Sequence, residues 1–119
     1  MSHISPSPGP AYRTIIRLPT FERTAAGLIT DEQHRWLDTT LAGAPDSGAV
    51  IPGTGGVRKL RTPAAGRGKR GGARVIYYYR GATERVYLIL AYAKGVKEDL
   101  SGGERREIRR LVAKLEAEP

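Results

Sequence analysis

The chain has 119 residues, no cysteine, two histidines and a formal net charge of +8, from 20 Lys+Arg against 12 Asp+Glu. That length suits one modest core and not two. Without cysteine there is no disulfide framework, thiolate nucleophile or zinc–thiolate centre, and His3 and His34 alone argue against a histidine metal site or a two-histidine ribonuclease.

The first segment, "MSHISPSPGPAY", is rich in Ser and Pro and has no apolar stretch of a signal peptide, so residues 1–11 read as a disordered leader and residues 12–119 as one domain. "YRTIIRL", Tyr12 to Leu18, has the β-branched and aromatic content of a strand, which Pro19 ends. After a connector, "TDEQHRWLDTTLA" predicts a helix. Thr30 is its N-cap, Gln33 completes a capping box, Leu37 and Leu41 form the buried stripe beside Trp36, and Gly43 and Pro45 stop it. Trp36 suits the core or a protein contact, and His34 suits a solvated helix face.

"VRKLR" (Val57 to Arg61) predicts a short strand; "ARVIYYYR" and "RVYLILAYAK" predict two stronger ones, joined through Gly81 to Glu84 as an antiparallel hairpin. The second is apolar on both faces, as a central strand must be when it is covered on both sides. Its longest apolar run, "VYLILAYA", falls far short of the roughly 20 residues that cross a bilayer, so no membrane is expected and the protein reads as cytoplasmic. Last, "SGGERREIRRLVAKLEAE" predicts a helix with a second capping box, Ser101 to Glu104, and an apolar stripe at Ile108, Leu111, Val112 and Leu115. Arg106, Arg110 and Lys114 make a wet face, although like charges four apart repel and favour a phosphate or acidic partner there. The whole reads as a small α+β domain, with a mostly antiparallel sheet, helices packed on it and a C-terminal helix.

The charge is concentrated. Between Asp46 and Glu84 there is no acid, while Arg58, Lys59, Arg61, Arg67, Lys69, Arg70, Arg74 and Arg80 supply eight cations; without them the chain has 12 basic and 12 acidic residues. A solvated surface mixes the two signs, because like charges repel. A run of this kind calls for a polyanion. The tyrosines Tyr77, Tyr78 and Tyr79 alternate across a sheet, so at least one must face the core.

"PGTGGVRKLRTPAAGRGKRGGARVIYYY", followed by "YLILAYAKGVKEDLS", resembles the HigB-type branch of the RelE-like toxins of bacterial toxin–antitoxin pairs, from about Phe21 to the end of the last helix. The resemblance implies a RelE-like fold and an endoribonuclease that cuts messenger RNA on the translating ribosome. It also implies a cognate antitoxin, of the helix-turn-helix DNA-binding kind, through which alone the toxin would meet operator DNA. No cofactor and no metal are implied. The best-known branch carries a functional tyrosine near its C-terminus, and here no tyrosine follows Tyr92.

The residues tolerate that chemistry. Metal-free cleavage needs the 2′-OH deprotonated, attack on phosphorus and expulsion of the 5′-oxygen, and clustered cations stabilise the charge that builds up. Lys59 and Arg61, two apart on a strand, share a face, and Lys59 is the better candidate for general base. By the resemblance, Arg74 clamps the scissile phosphate in a bidentate grip, Tyr92 stacks or donates a proton, and Lys94 binds phosphate. Arg58, Arg67, Lys69, Arg70 and Lys97 are the expected RNA- and ribosome-binding residues. One question of register stays open: with Arg80 opposite Arg85, regular pairing sets Arg74 opposite Ala91 and on the other face from Tyr92, unless a β-bulge intervenes. The alternative reading is a non-catalytic basic RNA- or ribosome-binding protein, for which charge and tyrosines suffice.

Overall fold

The structure, a computed structural model, describes residues 13–64, 72–96 and 99–119. The expected leader, residues 1–11, lies outside them. Strand β1 (Thr14–Arg17) leads into helix α1 (Pro19–Ala25), then α2 (Asp31–Gly43), β2 (Ala49–Val50), β3 (Arg58–Arg61), β4 (Ala73–Arg80), β5 (Arg85–Ala93) and α3 (Gly102–Glu116). The sheet order is β1-β5-β4-β3-β2, antiparallel throughout except where β1 runs parallel to β5. The α+β reading holds.

Two elements depart from the sequence reading. The expected connector after β1 is helix α1, which Pro19 opens: its preset φ suits the first helical turn, where its missing N–H costs nothing. Only Phe21 and Ala25 of α1 are buried, too short a stripe to show as periodicity. The other, β2, is two exposed residues at the sheet edge. Both predicted capping boxes form, at Thr30/Gln33 and Ser101/Glu104.

Helices α1 and α2 cover one face of the sheet, where Phe21, Leu37 and Leu41 pack on Val75, Tyr77, Val86 and Leu88. On the other face, Ile108 and Val112 of α3 pack on Ile76, Ile89 and Tyr92. Strand β5 is therefore central and covered on both sides, as its apolar run requires. Beyond Leu88 its outer edge is no longer paired with β1, and α1 takes over: the Ala91 N–H donates to Thr24 Oγ1 at 2.9 Å. A side chain thus satisfies a backbone donor that the ladder leaves open.

Candidate nucleic-acid cleft

The register question resolves through a bulge. Arg80 lies opposite Arg85, and pairing proceeds regularly to Tyr77 and Leu88, after which the register shifts between Ile76 and Tyr77, so that Ile76 pairs with Leu90 and Arg74 with Tyr92. Ile89 is the extra residue, and it stays on the α3 face with its neighbour Leu90. On the other side Arg61 pairs with Arg74 and Lys59 with Ile76. Arg61, Arg74 and Tyr92 thus stand in one row across three adjacent strands, roughly 10 Å from end to end at the usual strand spacing. Lys59 is two residues along the same face.

Arg61 is exposed and Arg74 half-buried. Two like charges directly opposite one another destabilise a sheet. Among the described residues no carboxylate relieves either of them, and Arg74 Nη1 is enclosed without a hydrogen-bond partner. By contrast, Arg80 at the far end of the same strand is supported by the C-terminal turn of α3, where its Nη2 donates to Glu116 O at 3.2 Å and its Nε lies 3.6 Å from the Glu116 carboxylate.

The remaining candidates divide. Lys59 Nζ donates to Asp99 Oδ1 at 2.8 Å, and that contact holds the Asp99 carboxyl below its usual range. Lys59, a member of the acid-free basic run, therefore has a carboxylate beside it that lies beyond that run in the sequence. Tyr92 is only 7% exposed and its ring belongs to the core beneath α3. Stacking on a base needs a bare ring face, so the structure does not offer the expected stacking surface. Lys94 is exposed in the turn after β5, closed by Val96 N–H to Ala93 O at 3.2 Å with Gly95 at φ +88°, so strand alternation no longer fixes its side. Arg58 sits on the opposite face from Lys59, where its Nη1 donates to the carbonyls of Asp46 (3.2 Å) and Gly48 (2.7 Å). Arg67, Lys69, Arg70 and Lys97 lie outside the described residues.

The segment 65–71 departs from a clamped neck beside the row. Thr62 N–H donates to Ala73 O and Ala73 N–H to Thr62 Oγ1, both at 2.9 Å. A Cβ on Gly72 would fall 1.6 Å from Thr62 O, so only glycine permits this approach. Gln33, the capping residue of α2, also donates its amide to Pro63 O at 2.8 Å, joining helix and neck. Sequence reasoning missed Asp99, because an acid beyond the basic run gives no sign that it folds back, and missed this second task of Gln33. The "GTGG" motif is structural: buried Thr54 donates to Ile51 O and accepts from Val57 N–H, while Gly53, Gly55 and Gly56 take positive φ and Gly55 abuts Val112 of α3.

Tyr77 is the core-facing tyrosine; its hydroxyl donates to Pro45 O at 2.7 Å and accepts from Gly48 N–H at 2.8 Å. Trp36 packs against the core of the α1/α2 face. His34 is not the solvated residue expected. It is half-buried with its ring edge-on to Phe21, 5.9 Å between centroids, and burial, helped by nearby Arg17, lowers its pKa from the ordinary value. It lies across the sheet from the basic row. Among the described residues no helix is long and apolar enough to cross a membrane, and no group of three His, Asp or Glu is gathered where a metal could sit.

A pair of arginines that no carboxylate among the described residues relieves, on a small sheet covered by helices on both faces and beside the neck at Thr62 and Ala73, is the setting in which the family comparison falls. The model of the RelE toxin of the RelE/RelB toxin–antitoxin system matches residues 20–118, which takes in every element except β1. The chain belongs to the RelE toxin family, and is the toxin half of a toxin–antitoxin pair with a cognate antitoxin as its partner.

Proposed function

We propose that this toxin is an endoribonuclease that cuts messenger RNA on the translating ribosome, without a metal, by attack of the 2′-OH on the adjacent phosphorus. The observation that carries the proposal is the pairing of Arg61 with Arg74 across adjacent strands, with no acid among the described residues to relieve them and one nitrogen of Arg74 enclosed and without a hydrogen-bond partner there. A phosphodiester supplies the missing acceptors, and the bidentate geometry of arginine suits both its ground state and the extra charge of the transition state. In this reading Arg74 clamps the scissile phosphate, Arg61 stabilises the developing charge, and Lys94 holds a neighbouring phosphate. Tyr92, buried under the row, positions Arg74 across the strand pair.

Lys59 is assigned the proton of the 2′-OH. An ammonium has no lone pair, so this role requires the amine and therefore release from Asp99. The 2′-oxygen then bonds to phosphorus as the bond from phosphorus to the 5′-oxygen breaks, the 5′-oxygen takes a proton from solvent, and a 2′,3′-cyclic phosphate remains. The alternative, a non-catalytic RNA- or ribosome-binding protein, draws support from that same ion pair, which occupies the proposed base. The antitoxin is proposed to be a helix-turn-helix protein that alone contacts operator DNA, and the site of action to be the cytoplasm.

Mapping of messenger ends after induction tests the reading. Upstream fragments ending in 2′,3′-cyclic phosphate or 3′-phosphate, downstream fragments starting with 5′-hydroxyl, and an intact message when its start codon is removed are the expected outcome. Upstream 3′-hydroxyls with downstream 5′-phosphates mean that water attacked and overturn the assignments. Intact messages throughout, with retained RNA binding, leave the binding-protein reading.

A further inference from the structure

The residue that faces Lys59 has a second cationic neighbour. Asp99 stands just before the N-cap of α3, and Arg105 lies in the first turn of that helix, its backbone N–H donating to Ser101 O at 2.9 Å. The charge of Arg105 acts on the Asp99 carboxylate in the same sense as that of Lys59, though more weakly. Arg105 is half-buried, and its Nε is enclosed with no hydrogen-bond partner among the described residues. The carboxylate therefore lies in the field of two cations from different elements, one on β3 and one on α3, while remaining 58% exposed itself. Lys59 is on the same sheet face as Arg61 and Arg74, so this group borders the arginine row.

We propose that Arg105 is a further RNA-phosphate ligand of the cleft, and that Asp99 occupies, in the free protein, the place next to Lys59 and Arg105 that an RNA phosphate takes when substrate is bound. The inference rests on the nuclease reading for the identity of the anion. A carboxylate and a phosphodiester each present anionic oxygens to Lys59, and the second oxygen of the phosphodiester can meet Arg105, with which Asp99 makes no direct contact among the described residues. An exposed ion pair is weak and easily exchanged. A single free phosphate gains little by displacing a tethered carboxylate. A strand already held by Arg61 and Arg74 presents its next phosphate at high effective concentration and displaces it readily. The device favours RNA over small anions.

The test is binding of a single-stranded RNA oligonucleotide by fluorescence anisotropy across a salt series, with inorganic phosphate as competitor, using the full chain and the variants Asp99→Asn, Arg105→Ala and Arg105→Lys. Alanine is a good helix former and Arg105 is partly exposed, so the fold should survive, which circular dichroism checks. Asp99→Asn is expected to bind RNA about two- to fivefold more tightly, the span set by no longer breaking an exposed ion pair. Its salt slope should steepen by up to about 0.7, because no displaced carboxylate takes a salt cation back up, and inorganic phosphate should compete better than against the wild type. Arg105→Ala should weaken binding and flatten the slope by about 0.7, and Arg105→Lys should recover most of the charge-dependent part. An unchanged affinity and slope in Asp99→Asn, or in Arg105→Ala, overturns the proposal even if the wild type cuts messages. If the wild type cuts nothing yet both variants shift as expected, the nuclease reading falls and the phosphate site stands.

Discussion

Arg74 shows how much one side chain depends on its surroundings. Its position in the sequence suggested a clamp, and the structure adds that one of its nitrogens is enclosed without an acceptor and that Arg61 stands directly opposite. If Arg74 clamps the scissile phosphate as proposed, Arg74→Ala should slow cleavage on purified ribosomes by roughly 10²- to 10³-fold, the usual loss for one preorganised donor at a charged transition state. Arg74→Lys should restore little, because an ammonium is a point charge and cannot hold two phosphate oxygens in a plane. Cleavage at wild-type rate in the alanine variant would remove Arg74 from the site. Lys59 was equally visible in the sequence, whereas its partner Asp99 was not, since a contact across 40 residues of sequence depends on where α3 begins.

At the scale of elements, α3 is held to the sheet at two ends of its length. Its apolar stripe of Ile108, Val112 and Leu115 was legible from spacing, but the polar tie at its C-terminus was not. There the Tyr78 hydroxyl donates to the Glu116 carboxylate, while Arg80 reaches the carbonyl of the same residue. Burial first, and then the bond to Glu116, push the Tyr78 hydroxyl up to about 12 from an ordinary 10.0. In the unfolded chain this tyrosine ionises near 10; in the folded protein it keeps its proton. Between pH 10 and about 12 the unfolded state therefore binds fewer protons, and stability falls as pH rises through that window. Tyr78→Phe should be less steeply destabilised there, measured as thermal midpoint against pH for both proteins. Parallel curves would show that the hydroxyl takes no part in the alkaline transition.

For the whole molecule the governing quantity is where the +8 sits. The neck at Thr62 and Ala73, between which the basic stretch of the sequence runs, adjoins the pair Arg61 and Arg74. If Arg67, Lys69 and Arg70 each neutralise a phosphate, replacing all three with alanine should make the slope of log affinity against log salt shallower by about 2, at roughly 0.7 to 0.9 per phosphate. The thermal midpoint should stay put, because the hydrogen bonds of the neck, at Thr62 and Ala73, do not involve the three replaced side chains. A filter-binding series on ribosomes or RNA measures it, and an unchanged slope would exclude the segment from the footprint.

Local rules sufficed for much of this. Both capping boxes, the stripe of α3, the hairpin of β4 and β5 and the excess of cations depend on residues within a few positions of one another, so pattern and propensity carried them. The candidates Lys59, Arg61, Arg74 and Tyr92 were named from spacing and from their resemblance to a family, without their arrangement. Whether Arg74 and Tyr92 share a face turned on a single extra residue at Ile89, and regular alternation in either strand is equally compatible with both registers. That choice belongs to the core, which must place Leu88 under α1 and α2 while Ile89 and Leu90 both meet α3. The pairing of Lys59 with Asp99, the burial of Tyr92 and the diversion of Arg58 to backbone carbonyls were likewise set by packing between distant elements, because direction and partner depend on the neighbours a side chain meets only after the sheet and helices have assembled.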